Sequence, residues 1–243
     1  MNPQKIALLT DSCADLSVQM VQEYHIFVVP LRILCADGEY ADGVDIHGAD
    51  IYRRLHNGEL PQTSLPSGAY IEKVLRQIWE EGYDGVIAVM LSSGLSGTYN
   101  LVRLAAEECG NLLPVRVFDS VSGSLGQGAT VLQLAEDIRG GMSWEELTER
   151  RAPQLIANTF PFFSVDTLEY LQKGGRIGKV TATAGTLLQI KPIITFADDG
   201  QLKSIAKVRG RNQVISKLIE LTVQRCGEHR RYNLAVANGG APA

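Results

Sequence analysis

VIAVMLSSGLSGT, residues 86–98, runs six apolar residues straight into a loop of serine, glycine and threonine. An apolar run without polar alternation marks a strand covered on both faces, as in a parallel sheet between helical layers. The form recurs twice. Ile6 to Thr10 leads into Asp11 and Ser12, and Val115 to Phe118 leads into DSVSGSLGQG, residues 119–128. Between and after these runs, Ile71, Val74, Leu75 and Ile78 fall at i, i+3, i+4 and i+7, and Val131, Leu134, Ala135 and Ile138 repeat the spacing. That period belongs to helices with one buried stripe. Strands alternating with such helices build βαβ units, so the class is α/β with central parallel strands. Ser143 and Glu146 form a capping box that starts a helix near Trp144, and Pro153 is expected to interrupt or restart it.

The texture changes from about Phe160. Phe160 to Val165 is apolar, LEYLQKGGRI at 168–177 is broken by glycines, and Lys191 to Val208 reads as a hairpin turning at Asp199-Gly200. Val214, Leu218 and Leu221 mark a further helix, and Asn233 to Ala237 a last strand. The reading is two domains, 1–158 and 159–243, the C-terminal one with a mixed sheet. This smaller domain is expected to be incomplete, because a terminal strand followed by a glycine-rich turn ordinarily leads into another element.

Composition bounds the function. The chain has 243 residues, 45% hydrophobic and 21% charged, with 23 basic against 27 acidic side chains, which is ordinary globular usage. No segment gathers lysine and arginine into the stripe that phosphate-backbone contacts need, so nucleic acid is not an expected partner. Cys13, Cys35, Cys109 and Cys226 are far apart with no CxxC pair, which suggests neither a zinc site nor a disulfide framework. No apolar run approaches the roughly 20 residues of a membrane helix, and the N-terminus lacks the form of a signal peptide. A cytoplasmic protein without stable membrane insertion is expected.

Three strand ends therefore feed loops rich in hydroxyls, and a fourth cluster, QTSLPSG at 62–68, precedes the Ile71 helix. In an open α/β sheet the carboxyl ends of parallel strands share one side, and helix starts there offer free N–H groups to anions. Residues 92–98 and 119–128 contain no lysine or arginine. Such loops fit a singly charged group such as a carboxylate better than a polyphosphate. The competing reading is that each Ser or Thr is an ordinary helix cap.

Catalytic motifs fail in detail. SGLSG at 93–97 resembles a nucleophile elbow around Ser96, but Thr98 stands where GxSxG needs glycine. His25, His47, His56 and His229 lie in polar or helical contexts away from these loops and read as solvated or packing residues. KGGRIGKVT, 173–181, has Lys173 and Val180 where a P-loop needs glycine and a hydroxyl. No clustered metal-ligating set is visible, so neither metal nor catalytic residue is assigned.

TDSCADL at 10–16, TSLPS at 63–67, SSGLSGTYN at 92–100, DSVSGSLGQG at 119–128, LEYLQKGGRI at 168–177 and IKPII at 190–194 together resemble the DegV family in order and spacing. The resemblance implies a three-layer α/β/α first domain and a smaller two-layer α/β second domain, binding one long-chain fatty acid between them. It implies no cofactor and no enzyme activity of its own. The carboxylate would be presented to a separate fatty acid kinase subunit, making acyl phosphate. Carried onto this sequence, Thr63 and Ser96 would bind the carboxylate, Ser93 and nearby backbone N–H groups would assist, and Arg176 would sit near the head group or at the partner-facing surface. Family members usually continue for some 40 more residues, including a His-containing segment near the carboxylate. The alternatives left open are a hydrolase or phosphotransferase using Ser96 on a small carboxylated or hydroxylated substrate, and a ligand sensor with another partner.

Overall fold

A computed structural model describes residues 2–180, 190–227 and 231–239. The chain divides into two compact units, Met1–Thr159 and Phe160–Ala243.

In the first unit, strands β1 (Ile6–Asp11), β2 (Ile26–Val29), β3 (Arg32–Cys35), β4 (Gly38–Ala41), β5 (Gln62–Ser64), β6 (Gly85–Met90) and β7 (Val115–Asp119) form two sheets. Four of them make a wholly parallel sheet in the order β2-β1-β6-β7. Every residue of β1 and β6 is buried, and the pleat sends alternate side chains to opposite faces. Ala7, Leu9, Val86, Ala88 and Met90 meet the stripe of the Gly68–Glu80 helix on one face. Ile6, Leu8, Ile87 and Val89 meet Val131, Leu134 and Ile138 of the Leu125–Arg139 helix on the other. Two core layers sandwich the sheet, giving the α/β/α arrangement that the apolar runs imply.

Strand order reverses at β1. β2 lies on one side of β1, and the next parallel strand in the chain, β6, lies on the other. The crevice at the carboxyl ends of β1 and β6 is therefore the switch point, where open α/β sheets take their ligands.

The other three strands build an antiparallel sheet, β4-β3-β5, with Ile33 opposite both Tyr40 and Thr63. Arg54 of the Gly48–His56 helix closes it, pairing with Asp37 at 2.8 Å and Glu59 at 3.0 Å and lying 5.4 Å from the Tyr40 ring centre. Cys35, Asp37 and Glu59 bring ligand atoms within 4.8 Å of one another. The guanidinium of Arg54 already supplies the cation there.

The serine half of the capping box forms, Glu146 N–H donating to Ser143 Oγ at 3.3 Å, while the Glu146 carboxylate pairs with Arg150. Pro153 stands where an α-helix restarts, one of the two outcomes expected of it. The Glu146–Arg151 turns widen to a π-helix, and the α-helix Ala152–Ala157 continues with Pro153 in its first turn, where its missing N–H costs little.

In the second unit, β8 (Ile190–Phe196) and β9 (Leu202–Arg209) form an antiparallel hairpin. Its turn is closed by Gly200 N–H on Ala197 O and Ala197 N–H on Gln201 O, both at 2.8 Å. The Arg211–Arg225 helix lies against both strands. The LEYLQKGGRI stretch holds the short Glu169–Lys173 helix, and Lys179 N–H beyond it donates to Leu202 O at 2.7 Å. The strand expected over Asn233 to Ala237 does not form: that stretch is irregular, with Val236 95% exposed. A strand exists only through a β-ladder with a neighbour, and no ladder or bridge among the described residues includes this stretch.

Candidate functional site

β1 ends at Asp11, a fully buried carboxylate. Its Oδ2 accepts from Leu91 N–H at 2.7 Å, and its Oδ1 accepts from Cys13 N–H at 3.0 Å and Gln127 Nε2 at 3.1 Å. Gln127 is buried as well, and its amide nitrogen also reaches Thr10 Oγ1 at 3.0 Å and Val89 O at 3.3 Å. All three partners are acceptors, because the Thr10 hydroxyl gives its proton to Val89 O at 2.7 Å; that fixes which end of the amide points inward. Burial pushes the Asp11 carboxyl up to about 6, against the pull of its three N–H donors, and the charge of Asp42 adds to the rise. Burial likewise raises Asp15, opposed by its bond with Ser124.

β7 ends at Asp119, whose carboxylate accepts from Val121 N–H at 2.8 Å and from Ser93 N–H at 3.2 Å. Ser92 N–H donates to Ser122 O at 2.8 Å, and Ser120 N–H to Met90 O at 3.1 Å. The loops after β1, β6 and β7 are thus braced against one another by backbone donors on buried or half-buried oxygens. Val121 and Ser124 take positive φ, 48° and 50°, within the β7 loop. A β-branched residue adopts that region only at a cost.

Ser93 and Ser96 share the loop after β6; Ser93 is exposed and Ser96 half-buried. Ser96 Oγ accepts from Thr98 N–H at 3.3 Å and shares a hydrogen bond with Thr98 Oγ1 at 2.9 Å. Ser96 lies one residue before Gly97, the N-cap of the Thr98–Glu108 helix, and satisfies that helix's first N–H. Thr63 is exposed on β5. Two residues on, the Leu65 side chain lies 3.4 Å from where a Cβ on Gly97 would stand, so the TSLPS and SGLSG stretches are neighbours. The Ser93 N–H is already given to Asp119. Among the described residues the Thr63 and Ser93 hydroxyls and the Gly97 N–H have no partner.

Arg176 belongs to the second unit, exposed, its guanidinium donating to Gly174 O. The partners of Ser96 are not those of a nucleophile. His25, His47 and His56 are exposed, and His229 lies outside the described residues, as does Thr181 of the P-loop-like stretch. DSVSGSLGQG is not wholly a loop: Leu125 starts the next helix, and Gly126, Gln127 and Gly128 are buried in its first turn. Asp11, Asp119 and Gln127 lie inside the TDSCADL and DSVSGSLGQG stretches, yet sequence reasoning gave them no role at the site, because a bracing carboxylate has no spacing signature of its own.

A doubly wound α/β sheet with a hydroxyl-rich, cation-poor crevice at its switch point is the class that fold and site define. A family model described as "Uncharacterised protein, DegV family" matches residues 5–243, and the chain belongs to the DegV family. It is 42% identical over 238 residues to a DegV domain-containing protein of Clostridium perfringens, covering 98% of this chain and 83% of that one. Among solved structures it is similar to a DegV family protein from Thermus thermophilus described as fatty-acid binding, with TM-score 0.82 and 32% identity over 93% of this chain and 78% of that one. DegV of Bacillus subtilis, described as a fatty acid binding protein, gives TM-score 0.81 and 31% identity over 92% and 78%. Among the described residues, no helix is long and apolar enough to cross a membrane.

Proposed function

We propose that this chain is a fatty-acid carrier. It holds a long acyl chain between its two domains and presents the carboxylate to a separate fatty acid kinase subunit, with no catalytic residue of its own. The observation that carries the reading is the switch-point crevice, where the TSLPS and SGLSG stretches meet at Leu65 and Gly97 and leave hydroxyl and N–H donors unspent. The fatty-acid binding described for the Thermus and Bacillus relatives supports it. Thr63 and Ser96 receive the carboxylate, Ser93 assists, and Arg176 serves the head group or the partner-facing surface.

Magnitudes divide the labour. Burying a methylene contributes about 0.8 kcal/mol, so roughly a dozen give on the order of 10 kcal/mol gross. A hydrogen bond to the charged head adds about 1.5–3 kcal/mol. The tail sets affinity and the head sets orientation. Mass spectrometry of an organic extract of the purified protein is expected to give one long-chain fatty acid per chain; a polar metabolite or an acylated Ser96 would refute the carrier. Thr63→Ala and Ser96→Ala are each expected to retain bound acid within about threefold, while kinase-dependent acyl phosphate formation falls about tenfold. Full phosphorylation in both variants would remove these two residues from the head-group site.

A further inference from the structure

We propose that Asp11 is the positioning residue of the head-group site, a buried carboxylate that ties the β1, β6 and β7 loops together while charged and lets them part when protonated. The inference rests on the carrier reading for its ligand, but the tie itself does not. One carboxylate accepts from Cys13 N–H in the first loop, from Leu91 N–H at the root of the second, and from Gln127 at the start of the helix that follows the third. All three are donors, and they occupy both oxygens. A proton on either oxygen sets O–H against N–H, so at least one tie is lost. The Leu91 tie matters most, since the serine loop starts one residue later.

The surroundings make the proton exchange accessible. Asp42, in the turn after β4, is the charge acting on Asp11, and it also bears on Cys13 and Asp15. Asp15 on the β1 loop is bonded by Ser124, and Asp119 on β7 is committed to Ser93 and Val121. These neighbours are carboxylates, and burial disfavours the Asp11 charge further. Acidification then acts in opposite senses on the fold and on the site, because it relieves a buried charge but unties the loops. A residue with only a structural role would move both together.

The test uses the whole protein and a long-chain alkylsulfonate added at one equivalent, whose head stays ionised throughout. In the wild type, the amide proton resonances of Leu91 and Cys13 are expected to titrate together with a midpoint near 6, and release of the probe to accelerate about tenfold over the same range. Asp11→Asn is expected to release the probe fast at neutral pH, with no further change on acidification. Amides that do not titrate above the ordinary carboxylate range overturn the proposal, as does probe release that stays flat while the amides move. Should Asp11→Asn not fold, the wild-type titration decides alone. Failure of the wild type to take up any alkyl probe at neutral pH would count against the carrier reading, while the amide titration still decides the tie.

Discussion

Replacing Gly128 by alanine is expected to destabilise the first unit by about 1–3 kcal/mol, against the sign of helix propensity. Removing a glycine from a helix interior ordinarily stabilises by roughly 1 kcal/mol. Here a Cβ would fall well inside van der Waals distance of the Ala14 carbonyl oxygen and 3.1 Å from Leu16 Cδ2. The oxygen is backbone, in the Ser12–Ala14 turn whose Cys13 N–H is held by Asp11. It has no rotamer to retreat into. The helix start must move instead, and Gln127 with it. Gly68→Ala is the control: a Cβ there meets nothing within 4 Å, and stability is expected to hold or rise by up to about 1 kcal/mol. Urea midpoints that move alike in the two variants would show that the close approach is not a constraint.

The second large effect is a divergence between the wild type and Asp11→Asn across mildly acidic pH. Burial lifts the Asp11 carboxyl from 3.8 to about 6, so the folded chain holds this proton where the unfolded chain has lost it. A raised carboxyl pKa contributes its stability fully below the unfolded value and loses it as pH rises through the folded one. At roughly 1.4 kcal/mol per unit, the wild type is expected to lose on the order of 3 kcal/mol relative to Asp11→Asn between about pH 4 and about pH 7. Asp15, raised in the same sense, contributes to both proteins and cancels in the difference. Parallel curves of unfolding free energy against pH would mean that Asp11 is not burdened by its burial.

What could be read from the sequence follows from how each element gains its stability. β1 and β6 are buried on both faces, and the helices from Gly68 and Leu125 bury one clean, periodic stripe; β7, expected as a central strand, ends the sheet order instead, half-buried with Arg116 exposed. The β4-β3-β5 sheet carries no such signal. Its strands are three or four residues long, and Gln62, Thr63 and Ser64 are all polar and exposed, so the stretch reads as a hydroxyl cluster rather than a strand. β2, IFVV at 26–29, is apolar but too short to stand out from its surroundings. Asn233 to Ala237 shows the reverse failure, strand-like residues that join no β-ladder among the described residues. At the site, the loops could be named from their hydroxyls. The buried network of Asp11 and Gln127 could not, since what makes Asp11 decisive is the set of N–H groups that other loops aim at it.

Trp144 gives the first unit a built-in reporter. Its ring occupies the space beside Gly85 at the start of β6, where an added Cβ would stand 2.7 Å from Cζ3. The chain's other tryptophan, Trp79, sits in the Gly68–Glu80 helix of the same unit. Both indoles belong to residues 1–159, so their emission during denaturation reports on that unit, while the hairpin and its helix carry no indole of their own. Circular dichroism covers both units, so the gap between the two kinds of curve would measure how independently the halves of the molecule melt.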